Sequence, residues 1–450
     1  MTKPTRRDFV GTTTRASVAF ATATTVAAAQ IRADAKNDRI VLGAIGIGGR
    51  GRQVARSFAQ HDDVEVAYLC DPDRRQIGRF DEELERIQGR RPKVVADLRR
   101  VLEDGDVDAV CVCTCDHWHA LATVWACQAG KDVYVEKPPS HNLWEGRKMV
   151  EAARKYGRVV QVGTQSRSAA YVREAIEYIQ AGQLGDIPLV KVHNVKAGGS
   201  FTMPSDEPVP EGVDYNLYLG PAPQRPFNTG RFHVTWMNHW DYSNGDSGVD
   251  GIHQLDLARW LIGDVPYPDA AYGTGGNLAF DDDRETPDTQ SVTYEYPGRI
   301  MTFEHTQFAP YMTKTPWDIR RGPGFPHWPT NSTRIELYGT KELMYLGRHG
   351  GGWQAVTTNG EVASERSGAY PGLEHFQDFI DCVRSRKHPA ADIETGHQSA
   401  VLMHLGSIAT RLGGRRLIFD GKQERIEGDA EANALLCGSY RAPFVVPSSV

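Results

Sequence analysis

Ile40-Val41-Leu42-Gly43-Ala44-Ile45-Gly46-Ile47-Gly48-Gly49-Arg50-Gly51 is the stretch on which the fold turns. A short apolar run leads straight into G-x-G-x-x-G. The run reads as a buried strand and the residues after it as a helix. Gly46 allows the tight turn, Gly48 lets backbone approach a pyrophosphate, and Gly51 lets the helix pack on the strand. Phosphates belong at such a helix start, here Gly49 and Arg50, because unpaired N–H groups and the helix dipole favour anions. A second apolar run, Val64 to Leu69, leads to Asp71, twenty residues beyond Gly51. A carboxylate at that point holds a ribose 2′-hydroxyl and repels a 2′-phosphate. The expected cofactor is therefore NAD rather than NADP, although Arg74 and Arg75 lie close by and act against that preference.

Working outward, strand and helix signals alternate. Helical spacing runs from Arg50 to Gln60, and a charged surface helix is expected over 74–88. Strands are expected at Asp108–Thr114, Asp132–Val135 and Val159–Val162, with helices at Trp118–Ala129 and Leu143–Tyr156 between them. This alternation predicts a doubly wound parallel sheet with helices on both faces. Past Gly163 the pattern becomes β-rich, with runs at Ile187–Val195, Ser291–Tyr296, Ile300–His305 and Arg334–Tyr338. Helices are expected at Tyr171–Gln180, Gly251–Ile262, Leu373–Arg384 and Thr395–Leu412. Long Pro/Gly/Trp-rich loops cover 198–245 and 306–332, and loops of that length are often functional. The reading divides the chain into a leader at 1–30, a dinucleotide-binding domain at 37–163, a second α/β domain at 164–420 and a tail at 421–450.

The 450 residues are 40% hydrophobic and 24% charged, with a net charge of −6. That balance suits an ordinary globular protein and argues against a nucleic-acid partner. No apolar stretch is long enough to span a bilayer. Seven cysteines in so long a chain do not suggest a disulfide framework. Cys111, Cys113 and Cys115 alternate and lie near His117 and His119, but they read as small apolar residues of a buried strand, and no metal site is expected. Near the N-terminus, Arg6-Arg7-Asp8-Phe9 followed by an Ala/Thr/Val stretch and Ala27-Ala28-Ala29 reads as a twin-arginine export signal, which would make the protein periplasmic or otherwise exported.

Glu136-Lys137-Pro138 closes a strand on the edge of the sheet where ligands bind in open α/β folds. A lysine there can donate a hydrogen bond to a substrate oxygen and move a proton. Further on, Trp236, His239 and Asp246 belong to a polar and aromatic cluster that suits a sugar, and Arg167 is a candidate for a substrate hydroxyl or carboxylate.

These motifs, with Thr114-Cys115-Asp116-His117-Trp118-His119 and Gly251-Ile252-His253-Gln254-Leu255-Asp256, resemble the Gfo/Idh/MocA oxidoreductases in order and spacing. The likeness runs from Arg39 to about Asp420. Two late segments, Gly347 to Gln354 and Gly396 to Ser399, look like those of an exported bacterial subgroup. The resemblance implies a Rossmann domain, then an α/β domain with a large open, mainly antiparallel sheet that forms subunit contacts in a homo-oligomer. It implies that Lys137 and His253 are catalytic, that Pro138 follows a cis bond, and that Thr114, Asp116, His119 and Glu136 lie near the cofactor. Two positions depart from the pattern. Cys115 replaces a usual proline, and Val249 stands where relatives carry an aspartate four residues before the histidine. Asp250 is three before it and is expected to substitute, because both spacings lie on one side of a helix. The implied activity is hydride transfer to or from a sugar, polyol or related carbohydrate. The alternatives are a redox-neutral glycosidase that retains its NAD and a non-catalytic NAD-binding sensor.

Overall fold

The computed structural model describes residues 39–450. The twin-arginine segment lies outside the described residues. The first body is a six-stranded sheet: β1 (Ile40–Ile45), β2 (Val64–Cys70), β3 (Lys93–Val95), β4 (Ala109–Val112), β5 (Asp132–Val135) and β6 (Val160–Val162), in the order β3-β2-β1-β4-β5-β6. Every pairing is parallel. Its strands are nearly continuous apolar runs because helices cover both faces. Helix α1 (Gly49–Ala59) packs one face through Val54, Ala55 and Phe58. Helices α2 (Asp116–Gln128) and α3 (Leu143–Lys155) pack the other through Leu121, Val124, Met149 and Val150. The strand order reverses between β1 and β4, the place where such sheets bind ligands.

The second body is a ten-stranded sheet in the order β14-β13-β12-β11-β7-β10-β9-β8-β15-β16. Its strands are β7 (Leu189–Val195), β8 (Ala270–Gly276), β9 (Thr289–Tyr296), β10 (Arg299–Thr306), β11 (Arg334–Tyr338), β12 (Glu342–Gly347), β13 (Trp353–Thr357), β14 (Val362–Arg366), β15 (Leu417–Asp420) and β16 (Arg425–Ile426). Only β7 and β10 pair in parallel, so the sheet is mixed and mainly antiparallel. Helices α4 (Ile252–Leu261) and α7 (Ile393–Arg411) cover one of its faces. The α/β architecture expected from the sequence is the one observed.

The chain does not divide as the sequence suggests. Helix α6 (Glu374–Ser385), inside the expected second domain, packs on the parallel sheet: Phe376 and Phe379 sit edge-on to Phe58, with ring centroids 5.0 and 5.7 Å apart. Residues 421–450 are not a tail. They supply β16, the short helix α8 (Ala430–Ala434) and then Phe444, Val446 and Val450, which are buried against Trp118 and its neighbours. The reason is apolar area. The outer faces of α2 and α3 remain hydrophobic, and the last residues cover them. The returning segments are polar enough on average to hide this in a composition-based reading.

Candidate active site

The glycine loop is built as a cradle. Gly46 sits at φ +83°, and a Cβ there would lie 2.7 Å from the Cys113 backbone. At Gly51 a Cβ would stand 1.8 Å from the Gly46 carbonyl oxygen, so α1 closes on β1 only because this residue is glycine. At Gly48 and Gly49, by contrast, a Cβ would meet nothing within 4 Å. That open space is where a ligand can approach the backbone. Gly48 caps α1 without a side-chain hydrogen bond, which leaves first-turn N–H groups for an anion. The Asp71 carboxylate accepts from Ile47 N at 2.7 Å and from Asp73 N at 2.8 Å, bracing the loop. Burial pushes its pKa up to about 6. A cavity of about 480 Å³ opens here, lined by Gly46, Gly48, Gly49, Arg50, Asp71 and Thr114. Its residues fit a dinucleotide: open glycine backbone for the phosphates and a carboxylate for the ribose.

Arg50 also lines a second cleft of about 670 Å³, together with Glu136, Lys137, Asp250 and His253. The two spaces therefore share Arg50 as a common wall. Arg50 Nε donates to Glu136 Oε1 at 2.8 Å, and that charge holds the Glu136 carboxyl low despite burial. Lys137 lies two residues past β5, is joined to Pro138 by a cis bond, and donates from Nζ to the Val249 carbonyl. Burial lowers its pKa, while the carboxylates of Glu136, Asp250 and Asp116 pull the other way. His253 opens α4 from the second body. Burial and the nearby Arg348 charge push its pKa well down, and its Nδ1 is buried without a partner.

The other expected residues fall into place differently. Thr114 lines the dinucleotide cavity. His119 bridges the carbonyls of Pro138 (2.7 Å) and Thr114 (3.1 Å), fixing the loop that carries Lys137. Asp116 accepts from Ser243 Oγ at 3.0 Å, and burial raises its pKa to about 7.

Asp250 lines the cleft but does not hold His253. Its carboxylate pairs with Lys196 at 2.5 Å, Lys314 at 2.6 Å and Arg348 at 3.0 Å, and these cations keep it well below the usual carboxylate range. The expected i,i+3 pairing fails because Ser247–Gly251 is a π-helical turn, whose wider winding changes the angle between the two side chains. Three expected substrate residues lie elsewhere. Arg167 is buried and forks onto Asp256 (2.9 Å) and Asp264 (2.8 Å), a structural ion-pair cluster. His239 is buried against the Gly230 carbonyl and Glu285. Asp246 pairs with Lys196 at 2.9 Å behind the cleft wall. Trp236 lines the dinucleotide cavity instead.

Several cleft residues escaped the sequence reading: Lys314, then Trp317 and Arg320 on the short helix α5 (Trp317–Arg321), and Arg348 and His349. Two signals pointed at them. One is the Pro/Gly/Trp-rich loop 306–332, and the other is the glycine-rich segment 347–352. Among the described residues, no group of three or more His, Cys, Asp or Glu side chains is placed to hold a metal ion. No helix among them is long and apolar enough to cross a membrane.

Residues 40–164 match the family model described as oxidoreductase family, NAD-binding Rossmann fold. Residues 195–269 and 348–446 match the same family's C-terminal alpha/beta domain. The chain belongs to the Gfo/Idh/MocA oxidoreductase family. Its N-terminal body is thus an NAD-binding Rossmann domain, and its relatives include inositol dehydrogenases. It is 27% identical over 240 residues to an uncharacterized oxidoreductase of Streptococcus pneumoniae, covering 53% of this chain and 54% of that one. The chain thus spans about half the length of that relative. A myo-inositol 2-dehydrogenase of Thermotoga maritima is 25% identical over 378 residues, covering 80% of this chain and 93% of its own. In fold it is similar to the WlbA dehydrogenase of Bordetella pertussis, solved with NADH and UDP-GlcNAcA. The TM-score is 0.61 at 20% identity, over 85% of this chain and 99% of that one.

Proposed function

We propose that the protein is an NAD-dependent oxidoreductase that moves a hydride between NAD and a carbinol carbon of a sugar, polyol or related carbohydrate. The observation that carries this reading is a meeting of two bodies. Lys137, just past a strand of the Rossmann sheet, and His253 from the second body line one cleft that adjoins the glycine-loop cavity at Arg50. The inositol dehydrogenases among its relatives support the substrate class.

Bound NAD supplies a hydride acceptor at its nicotinamide ring. The protein does the rest. Lys137, with its pKa lowered by burial, reaches the neutral amine more readily than a surface lysine. One N–H stays on the Val249 carbonyl, so the lone pair is free to take the hydroxyl proton at Nζ. The neutral His253 ring lines the same cleft and holds the hydroxyl oxygen in place.

The test is single-turnover hydride transfer over a panel of sugars and polyols, followed by absorbance of the reduced nicotinamide. Lys137→Ala and His253→Ala are each expected to bind NAD as before and to react roughly 10²–10⁴-fold more slowly. The double variant is expected to fall well short of the summed losses if both serve one proton path. Wild-type rates in both single variants would remove the pair as the catalytic groups. Glycoside cleavage with no accumulation of reduced cofactor would assign the recycling glycosidase chemistry instead.

Two further proposals concern place and assembly. Arg6-Arg7 supports export by the twin-arginine route, and replacing both with Lys is expected to retain the precursor in the cytoplasm. The helix-free face of the ten-stranded sheet exposes Tyr272, Ile300 and Ile418, which supports pairing of copies through that sheet. Light scattering of the wild type against Tyr272→Lys/Ile300→Lys tests it, and an unchanged mass would reject this face as the interface.

A further inference from the structure

The cleft carries more positive charge than proton transfer requires. Lys314, Arg320, Arg321 and Arg348 all line it, together with His349. The carboxylates among the lining residues are Glu136 and Asp250, and both are already engaged. Glu136 is paired with Arg50 at 2.8 Å. Asp250 alone answers Lys314 and Arg348, and it is shared with Lys196 behind the wall.

Among the described residues neither Arg320 nor Arg321 pairs with a carboxylate. Both instead stack over Trp317, at 5.8 and 4.2 Å from its ring centre, and Arg320 donates from Nε to the Thr315 carbonyl. Arg348 is only 4% exposed, and its Nε is buried with no partner. Burial pushes Lys314 and Arg320 below their ordinary values, and the Arg348 charge adds to both shifts. Cations gathered in a partly buried cleft with too few anions repel one another and lose hydration. An incoming anion relieves both costs.

The phosphates of the dinucleotide do not meet this need. They belong to the open glycine turn of the other cavity, whose lining includes none of these four cations. Trp317, 62% exposed at the mouth of the cleft, offers an aromatic face that the arginines already favour on one side.

We propose that the carbohydrate taken by this cleft is anionic, with its carboxylate or phosphate held among Lys314, Arg320, Arg321 and Arg348 and its ring against Trp317. This rests on the cleft being the carbohydrate site proposed above. Three planar guanidinium groups suit a two-oxygen anion, since each can donate two parallel hydrogen bonds. A neutral polyol such as an inositol would leave the cluster unmatched.

The experiment uses the full protein saturated with NAD, so that the nucleotide's own phosphate site is filled. Calorimetric binding and the melting midpoint are measured with D-glucose, D-glucuronate, D-glucose 6-phosphate and inorganic phosphate. At least one anionic probe is expected to bind about tenfold tighter than glucose, or to raise the midpoint where glucose does not, and added salt is expected to shrink the difference. A preference for glucuronate identifies the anion as a carboxylate, and a preference for the phosphates identifies it as a phosphate. Arg320→Gln/Arg321→Gln is expected to narrow the anion-to-neutral ratio while its unliganded melting midpoint shows an intact fold. Equal effects of glucose and the anions, stabilisation by glucose alone, or no effect of any anion would overturn the proposal. The oxidoreductase reading fails separately: anions would bind selectively, yet no reduced nicotinamide would form with any carbohydrate.

Discussion

Asp71 illustrates how one residue serves two purposes. Its oxygens already accept Ile47 N and Asp73 N, yet the side chain lines the dinucleotide cavity. Burial raises its pKa from 3.8 to about 6. Ionised Asp71 costs folding free energy above about pH 6, and the protonated form relieves that cost below its ordinary value. A ribose hydroxyl, however, donates a stronger hydrogen bond to the ionised carboxylate than to the neutral acid. NAD affinity measured by calorimetry is therefore expected to rise between about pH 5 and pH 7 and to level off above. Asp71→Asn is expected to flatten that rise and to narrow the gap between NAD and NADP. A flat wild-type profile would mean that Asp71 braces the loop without touching the ribose. Arg167 is the opposite case, a residue that looked like a ligand and is a strut. Removing one partner of a buried ion pair typically costs about 3–5 kcal/mol, so Arg167→Ala is expected to lower stability by that order in urea titration. The folded fraction is expected to keep its hydride-transfer rate; loss of rate without loss of stability would return Arg167 to the site.

At the scale of elements, the β1–α1 turn is under a tight steric constraint. The Gly51 Cβ position overlaps the Gly46 carbonyl, and both atoms are backbone, so no side-chain rotation relieves the clash. Gly51→Ala is expected to cost at least about 1–3 kcal/mol, the range for overpacking, and to abolish measurable NAD binding by moving α1 off the strand. Retained affinity would show that the helix start tolerates a shift. The π-helical turn at the head of α4 is the complementary element. It leaves the Val249 carbonyl to Lys137 and hands Asp250 to the cation cluster rather than to His253. The resemblance placed an acid beside the histidine by counting residues, and a change in helical winding undid the count.

At the scale of the molecule, the two bodies are tied by segments that leave one and return to the other. Helix α7 begins with Ile393 in the core of the Rossmann domain and continues with Leu402 and Leu405 in that of the large sheet. The last residues bring Phe444 onto Trp118, with ring centroids 5.5 Å apart. Phe444→Ala is expected to cost about 3–5 kcal/mol, although it lies far from either cavity in sequence. A loss under about 1 kcal/mol in urea unfolding would show that the segment merely rests on the surface. The same ties hold the cleft walls at a set spacing, since Lys137 and His253 come from different bodies.

The Rossmann half was legible residue by residue because its signals are local. Glycines at fixed offsets have steric causes within one turn, and a buried parallel strand must be apolar along its length, so β1, α1, β2 and Asp71 declare themselves. Lys137 and His253 were found through a resemblance carried by short motifs, and tertiary structure then set them in one cleft. What folding alone decided depends on partners distant in the chain. Arg167 is a strut because Asp256 and Asp264 meet it, residues 421–450 are core because α2 leaves Trp118 uncovered, and Arg348 faces the cleft because β12 delivers it opposite Asp250. A charge or an aromatic ring carries no mark of its neighbour in the sequence, and only the packed chain supplies that neighbour.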